Sequence, residues 1–156
     1  SAKQHRAMVL REGSGGHFHN MIIDSFAIEA LDTRDEVRSL VAMDKLTFSH
    51  NLISNNGRLG NLATEPEADD DDFGFQEDVW IQDPTNRNHQ LAESGLQPTV
   101  TSTTSPNFRS RGLIRNMEAT RPPKSEFFDE SADYLGAINP RSSDTWLDGW
   151  TAFPES

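Results

Sequence analysis

With 156 residues, no cysteine, 34% hydrophobic residues and a formal net charge of −11, the chain is expected to form a single structural domain around a narrow core. Disulfides, thiolate zinc sites and cysteine nucleophiles are excluded. The acidity argues against nucleic acid or an anionic membrane as partner and leaves cations as the natural counterpart. No apolar run approaches the roughly 18 residues of a membrane span, so no membrane insertion is expected. Ser1-Ala2-Lys3 has no signal-peptide character.

Residues 7–10 read as a short strand entering the turn-rich Arg11-Glu12-Gly13-Ser14-Gly15-Gly16. The GxGxxG form and following helix of a phosphate-cradling loop are missing there. Residues 17–23 form the first clear strand, with Phe18, Asn20 and Ile22 on one face by period two. Residues 25–31 continue to a corner at Asp32-Thr33-Arg34-Asp35, where Asp35 is placed to cap a short helix over 36–43 carrying Val37, Leu40, Val41 and Met43. Residues 45–53 form a second strand, with Leu46, Phe48, His50 and Leu52 alternating. Ser54-Asn55-Asn56-Gly57 closes it, Asn56-Gly57 suiting a tight turn.

The two strands share a phrase. His19-Asn20-Met21-Ile22-Ile23 returns as His50-Asn51-Leu52-Ile53, 31 residues on. An Asn inside an apolar strand is costly unless its amide is hydrogen-bonded, and stacked equivalent side chains provide that; Asn20 and Asn51 are therefore expected to form a structural ladder. A repeat of this length marks solenoids, although two similar strands of a sandwich would look alike.

Composition changes at Arg58. Glu65, Glu67, Asp69, Asp70, Asp71 and Asp72 place six carboxylates within eight residues, with Phe73, Phe75 and Trp80 nearby to anchor them. Crowded hard oxygens suit a calcium ion, without the EF-hand spacing; a solvated acidic loop is the plainer reading. Residues 83–108 are polar, and the Thr99–Ser105 run has almost nothing to pack into a core, so it is expected along a surface or as an O-glycosylated stretch. No Asn-x-Ser/Thr sequon occurs.

Residues 127–154 hold six of the 13 aromatic residues. Trp146 and Trp150, four apart, can share one helical face, either plugging the end of a larger structure or forming a platform on which a carbohydrate stacks. Carboxylates at Asp24, Asp32, Asp35, Asp44 and Asp83 show no spacing that marks a catalytic pair. His17, His19 and His50 could meet on neighbouring turns of chain around a transition metal, but histidines beside a strand are more often structural.

Phe127-Phe128-Asp129-Glu130-Ser131-Ala132-Asp133-Tyr134-Leu135-Gly136-Ala137-Ile138, followed by Asp144-Thr145-Trp146-Leu147-Asp148-Gly149-Trp150-Thr151, resembles the C-terminal end of large, mostly uncharacterised secreted or surface proteins of Gram-negative bacteria. Arg11-Glu12-Gly13, His19-Asn20-Met21-Ile22, Asn51-Leu52-Ile53 and Asn55-Asn56-Gly57 are similar to the last coils of those proteins. The likeness leaves out roughly residues 64–121. It implies an all-β fold: a short right-handed parallel β-helix, or solenoid, with long loops and an aromatic C-terminal capping segment. It also implies an extracellular or bacterial cell-surface location, and it carries over no catalytic residue. The segments expected are β-helix coils at 1–63, an acidic and polar excursion at 64–121 and the aromatic segment at 122–156. Family members have many coils before this tail. The chain is thus expected either to be preceded by upstream coils of a longer polypeptide or to self-associate head to tail into a calcium-stabilised filament. The expected function is a non-enzymatic structural module, with a carbohydrate-binding or polysaccharide-degrading domain as the alternative.

Overall fold

The computed structural model describes residues 5–34, 37–60, 74–96 and 109–147, which fall in two compact units, Ser1–Ser94 and Gly95–Ser156. The first unit holds seven short strands and two helices: β1 (Met8–Leu10), β2 (Gly16–His19), β3 (Ile22–Asp24), β4 (Leu31–Thr33), α1 (Val37–Ala42), β5 (Leu46–Ser49), β6 (Leu52–Ser54), α2 (Glu77–Gln82) and β7 (His89–Leu91). A 3-10 helix, Pro84–Asn86, joins α2 to β7.

All the pairing is parallel. β1 lies on β4, β2 on β5, and β3 on β6, which also carries β7. Phe18 stands opposite Phe48 and Ile22 opposite Leu52, so the register between the first and second rows of β2–β3 and β5–β6 is 30 residues. The third row is a fragment: β7 continues on β6, Ala30 and Leu31 donate to the carbonyls of Arg58 and Leu59 (3.1 Å each), and α2 stands over β4.

The expected all-β, right-handed parallel β-helix is corrected on two counts. The chain is not all-β, because α2 supplies core residues: Ile81 is buried, and Trp80 packs against Phe48 and Phe75 with ring centroids 6.1 and 5.5 Å away. Nor is a closed solenoid formed among the described residues, whose strands make three separate sheets of two, two and three strands. The physical reason lies in the corners. Asn20, Ser25, His50 and Asn55 all have φ between 51° and 65°, which breaks each expected long strand into two pieces of three or four residues. In the third row a helix takes the place of the strands that would lie on β4 and β5.

The core consists of Leu10, Ile23, Ala30, Leu31, Val37, Leu46, Phe48, Ile53 and Ile81. Leu46 and Phe48 point inward while Thr47 and Ser49 remain half-exposed, as period two requires. The helix expected over 36–43 is found at Val37–Ala42, with Val37 buried; its expected cap Asp35 lies outside the described residues. The corner expected at Asp32-Thr33-Arg34-Asp35 is instead largely strand β4, with Leu31, Asp32 and Thr33 all buried. Gly57 serves close approach rather than turn conformation: a Cβ there would come within 2.3 Å of the Ala27 carbonyl oxygen and 2.4 Å of that of Ile28.

The second unit has no β-strand among its described residues. It contains a 3-10 helix, Gly112–Asn116, and a series of turns that bury Ile114, Leu135 and Ile138. Asp129 and Asn139 each accept a hydrogen bond from the backbone N–H two residues on, at 2.9 and 2.8 Å. The segment expected to plug an end with aromatic residues leaves Phe127 87% and Trp146 54% exposed.

Candidate functional site

The asparagines behave as backbone clamps. Asn51, fully buried, accepts the Met21 N–H at Oδ1 (2.9 Å) and donates from Nδ2 to the Phe18 carbonyl (3.1 Å). Asn56 repeats the geometry on the Phe26 N–H (2.9 Å) and Ile23 carbonyl (3.1 Å). Asn88 repeats it on the third row, taking the Asn51 N–H and donating to the Phe48 and Ile81 carbonyls, each at 3.0 Å. Each side chain satisfies backbone groups at a corner where strand pairing has stopped.

The expected ladder of Asn20 over Asn51 is therefore corrected. The register is 30, not 31, so Asn51 stands over Met21, and Asn20 stands under His50. The true ladder is Asn51 with Asn88. Asn20 and His50 instead share the left-handed conformation, at φ 59° and 54°, and Arg87 at 51° continues the series. The repeated phrase was visible in the sequence, but His50 heads the second copy at the position of Asn20, which displaced the alignment by one. The missed third row also left a trace: Arg87-Asn88-His89-Gln90-Leu91 repeats the order of His50-Asn51-Leu52-Ile53-Ser54.

A second cluster was not anticipated. Glu29 and Asp32 have side chains only 1% exposed, among three arginines. Arg6 pairs with both carboxylates, Arg58 donates to Glu29 Oε2 at 2.7 Å, and Arg34 Nη2 lies 3.0 Å from Asp32 Oδ2. Burial pushes the Asp32 carboxyl above its ordinary range, the Arg34 hydrogen bond and charge oppose that, Glu29 adds to it and Arg6 counters it. Nearby, Glu77 accepts both the N–H (3.0 Å) and hydroxyl (2.6 Å) of Thr33, tying α2 to β4. These contacts hold a buried corner and offer no exposed acid.

The histidines do meet, through hydroxyls. On the outer face of β2 and β5, His17 Nδ1 lies 2.9 Å from Thr47 Oγ1, His19 Nδ1 lies 2.8 Å from Ser49 Oγ, and Ser49 Oγ is 3.0 Å from His50 Nδ1. The His17 and His19 rings stack at 6.2 Å. Desolvation lowers the His19 pKa below 6.5; the hydrogen bond to Ser49 opposes this and the charge of His17 adds to it. Among the described residues no group of three or more His, Cys, Asp or Glu side chains is arranged to hold a metal ion.

The remaining predicted positions are dispersed. Glu65, Glu67, Asp69, Asp70, Asp71 and Asp72, where calcium was expected, and Trp150 lie outside the described residues. Trp146 stands in a turn, not on a helix, and its Nε1 donates to the Ala137 carbonyl at 2.8 Å. Asp24 accepts from the Ser25 and Ser94 hydroxyls at 3.1 and 2.6 Å. Asp83 caps the 3-10 helix through the N–H and hydroxyl of Thr85, bonds that lower its pKa.

The feature that sets the first row apart is its edge. β1, β2 and β3 each pair with one neighbour among the described strands, whereas β6 pairs on both sides. Leu31, Phe48 and Leu52 of the second row are fully buried; Met8, Phe18 and Ile22, which stand opposite them, are partly exposed. Comparison of the chain with protein-family models, curated proteins and solved structures finds no match.

Proposed function

We propose that the chain is a non-catalytic structural module of an exported protein and that it works by continuing its parallel sheets through the edges of β1, β2 and β3. One observation carries the reading: Met8, Phe18 and Ile22 are half-covered where their opposite residues Leu31, Phe48 and Leu52 are sealed by the rows on either side. One more layer of strands on that edge would bury the first row as the second is buried. It would also satisfy the outward backbone groups, because Gly16 N–H is directed to Lys45 O (2.8 Å) and alternation turns the N–H groups of His17 and His19 the other way. Recognition by strand addition takes affinity from such main-chain bonds and specificity from alternate side chains.

The exported setting rests on the resemblance of the tail and corner motifs to bacterial surface proteins. The test uses a labelled synthetic peptide of residues 45–56, the natural neighbour of β2 and β3. Fluorescence anisotropy should show saturable binding that a scrambled peptide does not reproduce. Equal signals from both peptides, or from neither, would remove the reading. Binding and depletion assays across neutral and uronate polymers test the polysaccharide alternative in parallel.

A further inference from the structure

The sheet edge has an open side and a closed side, and that asymmetry restricts which partner can occupy it. On the closed side every second-row segment is engaged: Thr33 N–H by Glu77 Oε1 at 3.0 Å, Ala30 and Leu31 N–H by the Arg58 and Leu59 carbonyls, His50 N–H by the Asn86 carbonyl at 2.9 Å, and β6 by β7. Only the three residues of β7 retain an outer edge there among the described strands. A head-to-tail repeat would press this closed side of one copy onto the open side of the next and match one strand out of three.

We infer that the occupant of the open edge is a second copy of this chain, joined about a two-fold axis through the middle of β2. The inference rests on the edge-continuation reading and names its partner. A two-fold interface is self-complementary, and it reverses strand direction, so each contact across it is an antiparallel strand pair. β2, with four residues, lies against itself, and β1 and β3, with three residues each, exchange places so that each meets the other. The lengths match with no strand left over. Around the axis, His17 of one copy faces His19 of the other.

Charge favours this meeting over any other face of an acidic protein. The chain carries −11, but residues 5–26, which contain all three edge strands, hold two arginines (Arg6, Arg11) against two carboxylates (Glu12, Asp24), a formal charge of zero with histidine neutral. Two copies approach there with the least repulsion. The rim contributes the partly buried Met8, Phe18, Met21 and Phe26, which already pack on the core at their inner sides. Closing the edge extends that core across the axis.

Sedimentation velocity over a wide concentration range should show a reversible monomer–dimer equilibrium and no longer polymer. The paired variants His17→Lys/His19→Lys and His17→Asp/His19→Asp should each be monomeric at concentrations ten times those that dimerise the parent, since each brings four like charges to the axis. Their circular dichroism should match the parent, because both side chains lie on the outer face of the sheet. Mixing the two variants should restore a dimer containing one of each, which happens only if β2 meets itself. A parent that remains monomeric overturns the inference, as do polymers of open length, a dimer that survives in either charged variant, or no heterodimer on mixing. If the parent is monomeric and the 45–56 peptide still binds, edge continuation stands and the two-fold partner alone is lost.

Discussion

The first and second rows of strands are built from the same kinds of residue and have different surroundings. Met8, Phe18 and Ile22 in the first row stand opposite Leu31, Phe48 and Leu52 in the second, in one register and with comparable side-chain volumes. Only the second row is sealed. Apolar residues in a stacked parallel arrangement are thus stabilised by what is laid on each side of them, and a row at the edge obtains only part of that stabilisation. The row contrast explains why this chain holds together with 34% hydrophobic residues: the fully buried set is concentrated in one layer, and helix α2 is recruited to finish it.

The most direct way to break the contrast is to delete matched rings. Phe48→Ala should cost about 3–5 kcal/mol, the usual range for emptying a buried phenylalanine site. Phe18→Ala should cost about half as much in dilute protein, because its ring is already partly in contact with water. Urea denaturation of both variants measures the ratio. Equal losses would mean that the two rows are equally covered. A Phe18→Ala penalty that grows with protein concentration would instead reveal the edge being closed by association.

The spacing between rows can be probed next. Gly57→Ala sets a methyl group against two backbone carbonyl oxygens at 2.3 and 2.4 Å, which cannot rotate away, and should cost about 3 kcal/mol. Gly15→Ala meets only the Lys45 carbonyl oxygen at 3.0 Å and should cost about 1 kcal/mol. Thermal melts that show no difference between the two would mean that the corner at Gly57 can open without loss. Asn51→Ala falls between them, at about 2–3 kcal/mol, since it leaves the Met21 N–H and Phe18 carbonyl without their side-chain partner in a dry corner. Amide exchange at Met21 should accelerate in that variant more than exchange at Phe26, which is clamped separately by Asn56.

Much of the first unit could be read from the chain because its signals are local. Alternation at Leu46 and Phe48, the helix after Arg34 and the repeated His-Asn phrase all survive as β5, α1 and a parallel pair of rows. The strand breaks were hidden because left-handed backbone at Ser25 and His50 has no residue signature comparable to glycine, and period two appeared to run through both corners. The role of α2 was hidden for a different reason. Glu77 and Trp80 adjoin an acidic, polar stretch, and only tertiary contact with Thr33 and Phe48 makes them interior residues. The arginine–carboxylate cluster draws partners from positions 6, 29, 32, 34 and 58, a set that no window of sequence brings together.

The smallest expected effect concerns protons on the outer face of the two rows. His19 on the first row leans on Ser49 of the second, and burial holds its pKa below 6.5, with His17 stacked beside it adding to the shift and the Ser49 hydrogen bond working against it. The sign follows from linkage. Above 6.5 the imidazole is neutral in both folded and unfolded chains and costs nothing; as pH falls below 6.5 the unfolded chain takes up the proton first, so stability declines until the pH passes the lower folded-state pKa. Asp32 runs the other way at more acidic pH. Its raised pKa means that the folded chain holds the proton first, so stability is gained as pH falls through that value toward 3.8. Urea midpoints taken between pH 8 and pH 5 should therefore decline for the parent and flatten in His19→Gln, with His17, His50 and the neutral hydroxyls of Thr47 and Ser49 left in place as the groups around it. An NMR titration should put the His19 midpoint below 6.5, and Ser49→Ala, which removes the one influence raising it, should move that midpoint lower still. A His19 midpoint at or above 6.5 would show that the outer face is wetter than its hydrogen bonds to the second row imply.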